Sequence, residues 1–107
     1  MPLETLSDLM DLYQRKFQPE KAGDIDATIQ LSISGDGGGD RILEIKDKTL
    51  TIAEGVAEEP TLTVSCDFAN WLKMNVGEAN PMMLMMQGKM KVKGPIPLAM
   101  KFQQLFF

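Results

Sequence analysis

Few side chains in this sequence can do chemistry, and their spacing narrows the field further. The 107-residue chain has no histidine and one cysteine, Cys66. Histidine is the commonest general base and metal ligand near neutral pH, so its absence removes most acid–base and metal chemistry. A lone thiol without histidine cannot form a Cys–His nucleophile pair. Cys66 alternates with the apolar Leu62 and Val64, which reads as a small buried side chain, and one cysteine leaves no internal disulfide. The carboxylates fall mainly in turns, as with Asp36, Asp40, Asp47, Glu58 and Glu59, where solvation accounts for them. Gly35-Asp36-Gly37-Gly38-Gly39-Asp40 lacks the alternating ligands and closing glutamate of a calcium loop. It also lacks the Lys-Ser/Thr end of a phosphate loop, and reads as a hairpin connection. No zinc spacing and no dinucleotide fingerprint is present. No catalytic residue, metal or cofactor is therefore expected, and the chain is read as a non-enzyme. A carboxylate pair converging on a pocket is the catalytic alternative, although the strand pattern turns most acids outward.

What remains is apolar chemistry, concentrated in residues 80–93. Asn-Pro-Met-Met-Leu-Met-Met-Gln-Gly-Lys-Met-Lys-Val-Lys holds five of the nine methionines. Asn80 and Pro81 form a helix start and Gly88 a helix stop. The helix between them has almost no polar face, which predicts burial on several sides. After Gly88 the period becomes two: Met90 and Val92 alternate with Lys89, Lys91 and Lys93, a strand with one dry face. Methionine is soft and specifies shape poorly. These side chains either fill an ordinary core or line a cavity that adapts to a flexible apolar guest. Trp71 presents the same choice, between a helix stripe and a ligand-stacking ring.

Length predicts a single domain over residues 1–107, and the composition, 44% hydrophobic and 24% charged, is that of a soluble globular protein. No apolar run is long enough to span a membrane, the N-terminus has no secretion signal, and the single cysteine fits a reducing compartment; the protein is read as cytoplasmic. Residues 1–78 carry all 15 acids and seven of the 11 bases, whereas residues 79–107 carry four lysines and no acid. Such asymmetry marks either a solvated face or a docking surface for anionic groups. Nucleic-acid binding is not expected of an acidic chain without an aromatic-plus-basic strand.

The elements that must position these residues follow from periodicity. Thr5 to Phe17 is an amphipathic helix ended by Pro19. Asp26–Ser34, Arg41–Ile45, Thr49–Ala53 and Thr61–Cys66 are strands with short links, Asp47-Lys48 being a tight turn, and together they predict an antiparallel meander. Asp67 caps a helix carrying Phe68, Trp71, Leu72 and Val76, closed by Gly77. The methionine helix and the strand Lys89–Lys93 follow, and Ile96 to Phe107 is a last, strongly apolar helix. The expected fold is α+β in the order α-β-β-β-β-α-α-β-α, a five-stranded, mainly antiparallel sheet with helices on one face.

Several strings resemble the sterol carrier protein-2 family of small lipid-binding domains. Phe17-Gln18-Pro19-Glu20-Lys21-Ala22 is similar to that family's helix end. Ile29-Gln30-Leu31-Ser32-Ile33-Ser34-Gly35 is similar to its first strand. Pro60 to Ser65 with Asp67-Phe68 resembles its fourth strand and helix start. Met86-Gln87-Gly88-Lys89-Met90-Lys91-Val92-Lys93-Gly94 resembles its Gly-Lys segment, and Leu98-Ala99-Met100-Lys101-Phe102 its final helix. Arg41-Ile42 and Pro95 depart from the pattern, where relatives often carry tryptophan and an acid. The resemblance implies a hydrophobic tunnel between sheet and helices. It also implies non-catalytic binding or transfer of fatty acid, fatty acyl-CoA, sterol or isoprenoid-like lipid, with the head group near Lys89, Lys91 or Lys93. Leu31, Ile33, Leu43, Phe68, Trp71, Leu72, Met82, Met83, Met86, Met90, Leu98, Phe102 and Leu105 are the candidate cavity-lining residues. The alternative is an accessory subunit supporting a lipid- or isoprenoid-modifying enzyme. Transient membrane contact, and a homodimer or partner-protein contact through the C-terminal helix, are the further partners left open.

Overall fold

A computed structural model describes residues 5–106. The first helix, α1 (Leu6–Lys16), starts at Thr5, whose hydroxyl accepts from the Asp8 N–H at 3.1 Å while Asp8 accepts from the Thr5 N–H at 3.0 Å. This reciprocal cap satisfies two orphan donors. Leu6, Leu9, Met10 and Tyr13 form its buried stripe. Pro19 does more than end α1: it opens the four-residue helix α2 (Pro19–Ala22), where a missing N–H is harmless. The sequence pattern did not show α2, because one turn has no period to read.

The sheet contains β1 (Ala27–Ser34), β2 (Gly39–Lys46), β3 (Thr49–Glu54), β4 (Leu62–Asp67) and β5 (Met90–Lys93), in spatial order β3-β2-β1-β4-β5. Asp47 and Lys48 both take positive φ, 52° and 61°, the two-residue turn whose twist suits a hairpin. At the β1–β2 connection a Cβ on Gly38 would stand 2.1 Å from the Ile33 carbonyl oxygen, so only glycine fits.

The expected four-stranded meander is corrected here. It holds for β1, β2 and β3, but β4 pairs with β1, and does so in parallel, Leu31 beside Val64 and Ile33 beside Cys66. The reason lies in Gln30, buried on the face of β1 away from the helices. Its amide donates to the Gly55 carbonyl at 3.1 Å and accepts from the Ala57 N–H at 2.7 Å. These bonds hold the 55–61 connection across the sheet and deliver the chain to the far side of β1. A buried amide left unpaired would be strongly unfavourable, so side chain and loop specify each other.

The remaining helices are α3 (Phe68–Asn75), α4 (Pro81–Met86) and α5 (Ile96–Phe106); Phe107, expected in the last helix, lies outside the described residues. Asp67 caps α3, accepting from the Asn70 N–H at 3.1 Å, and Asn80 caps α4, accepting from the Met82 N–H at 2.8 Å. Gly77 and Gly88 close these helices with positive φ, as their positions predicted. The core lies between the helices and one sheet face, where Ile29, Leu31, Leu43, Ile45, Leu62 and Val64 meet Leu9, Tyr13, Trp71 and Phe106. The Tyr13 ring lies 4.8 Å from that of Phe106, tilted by 35°, and edge-on at 6.5 Å to Trp71. Its hydroxyl donates to Asn75 Oδ1 at 2.8 Å.

Candidate functional site

One end of this core is not filled. A cavity of about 410 Å3 lies between the β4–β5 part of the sheet and the helices α3, α4 and α5. Its floor is Leu62 and Val64 from β4 with Met90 and Val92 from β5; Val64 and Val92 are direct cross-strand partners. Trp71 and Met74 form the wall from α3, Pro81, Met82 and Met85 the wall from α4, and Ile96, Ala99, Met100, Phe102 and Gln103 the wall from α5. Gly94 completes it at the turn into α5. Its φ is 144°, and a Cβ there would stand 2.7 Å from the Thr61 carbonyl oxygen and 2.9 Å from Leu62 Cδ1. The bend that lets α5 fold back over β5 therefore needs glycine.

Five of the nine methionines line this space: Met74, Met82, Met85, Met90 and Met100. None of the lining residues has an ionisable acid, amine or thiol; Gln103 carries the polar side-chain amide. Such a wall can exclude water and adapt its shape, but it offers no titratable general acid or base and no thiol, hydroxyl or amine nucleophile. Among the described residues no group of three or more histidine, cysteine or acidic side chains converges on a metal position.

Of the residues expected from the sequence to line a cavity, Trp71, Met82, Met90 and Phe102 are in the wall. Leu31, Ile33 and Leu43 share the inward sheet face but lie outside it, in the core. Phe68 is half-buried with its ring against Gly37, while Leu72 and Leu98 are half-buried and Leu105 is buried, all beyond the wall. Met83 and Met86 point away, at 51% and 78% exposure. The lysines Lys89, Lys91 and Lys93 are exposed and none is in the wall. Met74, Ile96, Ala99 and Met100 were not singled out from sequence as lining residues, and Met85 was named only within the methionine stretch. The i, i+3 spacing of Met82 with Met85 and of Ile96 with Ala99 was the available signal.

The helix α4 also departs from expectation. An apolar helix of this kind reads as buried on several sides, yet only Leu84 is buried, and Met82, Met83, Met85 and Met86 are all exposed. Six residues between two caps dock through a single anchor, which leaves the other faces at the surface.

Two titratable groups sit near the cavity floor without entering it. Burial, with the Asp67 carboxylate next to it, pushes the Cys66 thiol up to about 11. Asp67 itself is held below the usual carboxylate range, chiefly by the Asn70 side-chain amide and further by the Lys89 charge. Burial raises the Tyr13 hydroxyl, against which its bonds with Asn75 and Trp71 act only partly. All three shifts belong to packing and capping.

The fold and the hollow define a class: small α+β units whose helices roof one end of a five-stranded mixed sheet over an apolar cavity. The chain belongs to the SCP-2 sterol transfer family, whose model matches residues 6–107. It is 34% identical over 80 residues to hydroxysteroid dehydrogenase-like protein 2 of Bos taurus, covering 74% of this chain and 19% of that protein. The solution structure of palmitated SCP2L2 from Aedes aegypti superposes with a TM-score of 0.76 at 19% identity, covering 96% of this chain and 95% of that one. The stereoselective inverting sec-alkylsulfatase Pisa1 from Pseudomonas sp. contains the same fold, with a TM-score of 0.82 at 20% identity over 96% of this chain and 16% of that one. The chain thus spans about a fifth of the relative it matches by sequence. Among the described residues no helix is long and apolar enough to cross a membrane.

Proposed function

We propose that this chain is a non-catalytic lipid-binding module that holds a flexible hydrocarbon chain in the methionine-lined cavity. The observation that carries the reading is the cavity itself: about 410 Å3, mostly apolar, with no titratable side chain in its wall. That volume falls in the range of small-molecule sites, roughly 300–1,000 Å3. Each buried methylene contributes roughly 0.8 kcal/mol, so an acyl chain gains affinity without a charged partner. Unbranched thioethers repack at low energetic cost around chains of differing length and kink. Gln103 is placed to meet the polar end of the guest by hydrogen bonding. Family membership and the palmitated structural neighbour support a fatty acyl guest; sterol and isoprenoid-like lipids compete for the same space in this reading. Trp71, Met74, Met82, Met85, Met90, Met100 and Phe102 are the contacts proposed for it.

Titration of the purified protein with a fluorescent fatty acid tests this directly. Saturable binding of one molecule per chain, displaced by palmitate, is expected. No saturable binding, or binding without displacement, would contradict it.

A second reading has its own observation. The chain matches 19% of a dehydrogenase-like protein by sequence and 16% of an alkylsulfatase by fold, both of them much longer chains. There the cavity would present or shelter an apolar substrate for a neighbouring enzyme unit. Adding the chain to an enzyme that acts on acyl or isoprenoid substrates should then lower KM for the insoluble substrate and leave a soluble analogue unaffected. Equal KM values with and without the chain would remove this reading.

A further inference from the structure

The cavity wall carries no titratable side chain, yet its five thioethers can be oxidised. A thioether that takes an oxygen atom from a peroxide becomes a sulfoxide, polar where the parent was apolar. Exposure decides which groups react, so burial sorts the candidates. Cys66, Trp71 and Tyr13 are the chain's one cysteine, one tryptophan and one tyrosine, and all three are buried. Burial also keeps the Cys66 thiol from ionising near neutral pH. Met10, Met74 and Met90 are buried as well. The exposed sulfur of the described residues therefore belongs to Met82, Met83, Met85 and Met86 on α4 and Met100 on α5. Met82, Met85 and Met100 also line the cavity, whereas Met83 and Met86 do not. A side chain that is at once exposed and in the wall stands at the mouth, so oxidisable sulfur rims the entrance from two helices.

What a sulfoxide does at this mouth follows from its polarity. Turned inward, its oxygen meets hydrocarbon, with the Gln103 amide as the polar side chain in the wall, and a polar group without a partner there is unfavourable. Turned outward, the oxygen keeps its water, but the side chain withdraws from the guest and leaves a gap in the wall. Either way the guest's methylenes lose apolar contact. The fold does not depend on these three side chains. Leu84 anchors α4, and Phe102, Leu105 and Phe106 anchor α5, all of them buried.

We infer that Met82, Met85 and Met100 form an oxidation-sensitive switch: their conversion to sulfoxides by a peroxide expels the apolar guest and leaves the chain folded. In each event a sulfur lone pair attacks one peroxide oxygen. The O–O bond breaks and an S–O bond forms. The attacked oxygen passes its proton to the other, which leaves as water when the oxidant is hydrogen peroxide. Sulfur is oxidised by two electrons and the peroxide is reduced by two. Methionine sulfoxide reductases reverse the change, so the guest is held under reducing conditions and released under oxidising ones. The inference rests on the lipid-module reading, because it concerns regulation of the same cavity. Met83 and Met86, equally exposed but outside the wall, are the internal control.

The 107-residue chain and the variants M82L/M85L/M100L and M83L/M86L are treated with hydrogen peroxide, and the peroxide is then removed with catalase. Peptide mass spectrometry locates each sulfoxide, and circular dichroism follows thermal unfolding. Titration with a fluorescent fatty acid gives the affinity before and after. In the wild type Met82, Met83, Met85, Met86 and Met100 should oxidise well before Met10, Met74 and Met90. Its affinity should then fall roughly tenfold or more while unfolding stays cooperative, and sulfoxide reductases of both stereochemical types should restore it. M83L/M86L should lose affinity on oxidation as the wild type does. M82L/M85L/M100L, compared with its own value before treatment, should change by less than about twofold, since leucine has no sulfur to oxidise. A folded, oxidised wild type that binds as tightly as before would overturn the inference and leave the cargo reading standing. So would an equal loss in M82L/M85L/M100L, or unfolding that accompanies the loss of affinity. No fatty acid binding before oxidation would overturn both.

Discussion

The two ends of the sheet treat hydrophobic side chains in opposite ways. At the β1–β3 end, α1 lays Leu6, Leu9, Met10 and Tyr13 over Leu43, Ile45 and Leu50, all of them buried. The side chains there are mostly branched or aromatic, with few rotamers, which suits them to close packing. At the β4–β5 end, α4 and α5 lay methionines and Ala99 over Val64 and Val92, and a cavity of about 410 Å3 remains. Stiff residues close one end, and pliable residues keep the other open. The difference teaches that hydrophobic content does not by itself make a core; shape-defining side chains and anchoring on more than one face do.

The largest contrast is in stability. Leu9→Ala should destabilise the protein by about 3 kcal/mol, because the lost methylenes leave a cavity in a packed region. Met83→Ala, at an exposed position, should change stability by less than about 0.5 kcal/mol. Urea unfolding of both variants checks this, and similar losses would erase the distinction between the ends. Gly94→Ala comes next, at about 2 kcal/mol, since both the positive φ and the contact with the Thr61 carbonyl oppose a Cβ. Its midpoint should fall and its fatty acid affinity with it; an unchanged midpoint would show that α5 does not depend on this bend.

A cavity-filling substitution sharpens the comparison without unfolding anything. Ala99→Phe places a ring in the open space, so stability should stay within about 1 kcal/mol of the wild type while fatty acid affinity drops about tenfold or more. Full affinity in a folded Ala99→Phe variant would move the binding site elsewhere. The smallest effect is at Cys66. Its raised value means that its stabilising contribution is complete below the ordinary thiol value of 9.0 and is lost as pH rises through about 11. Thiolate absorbance of the folded protein should therefore stay low at pH 9 and rise near 11, and Cys66→Ala should lack that rise. Titration at the ordinary value would mean that Cys66 is reached by water.

Much of this fold was legible in the sequence, for reasons visible in single residues. Asn80, Asp67, Gly77 and Gly88 announced helix ends because caps and left-handed closures demand those side chains. Leu62, Val64 and Cys66 announced an inward strand face by their period of two. The partner of that strand was not legible: Gln30 looks like any outward polar residue until the connection it holds is known, and pairing across the sheet is a long-range choice. The cavity wall was half legible. Met82 and Met83 carry the same side chain on the same short helix, and hydrophobicity cannot tell which faces in. That phase is fixed by the docking of Leu84 and the cap at Asn80. A void leaves no mark in composition, because a filled core and an open one use the same residue types.

The central claim is that guest and cavity meet at particular methionines. Protein labelled with 13C at the methionine methyls and saturated with palmitate measures this by nuclear magnetic resonance. The account predicts large shifts for Met74, Met82, Met85, Met90 and Met100, little change for Met83 and Met86, and none for Met10 in the opposite end of the core. Shifts confined to Met83 and Met86, or none at all under saturation, would contradict it.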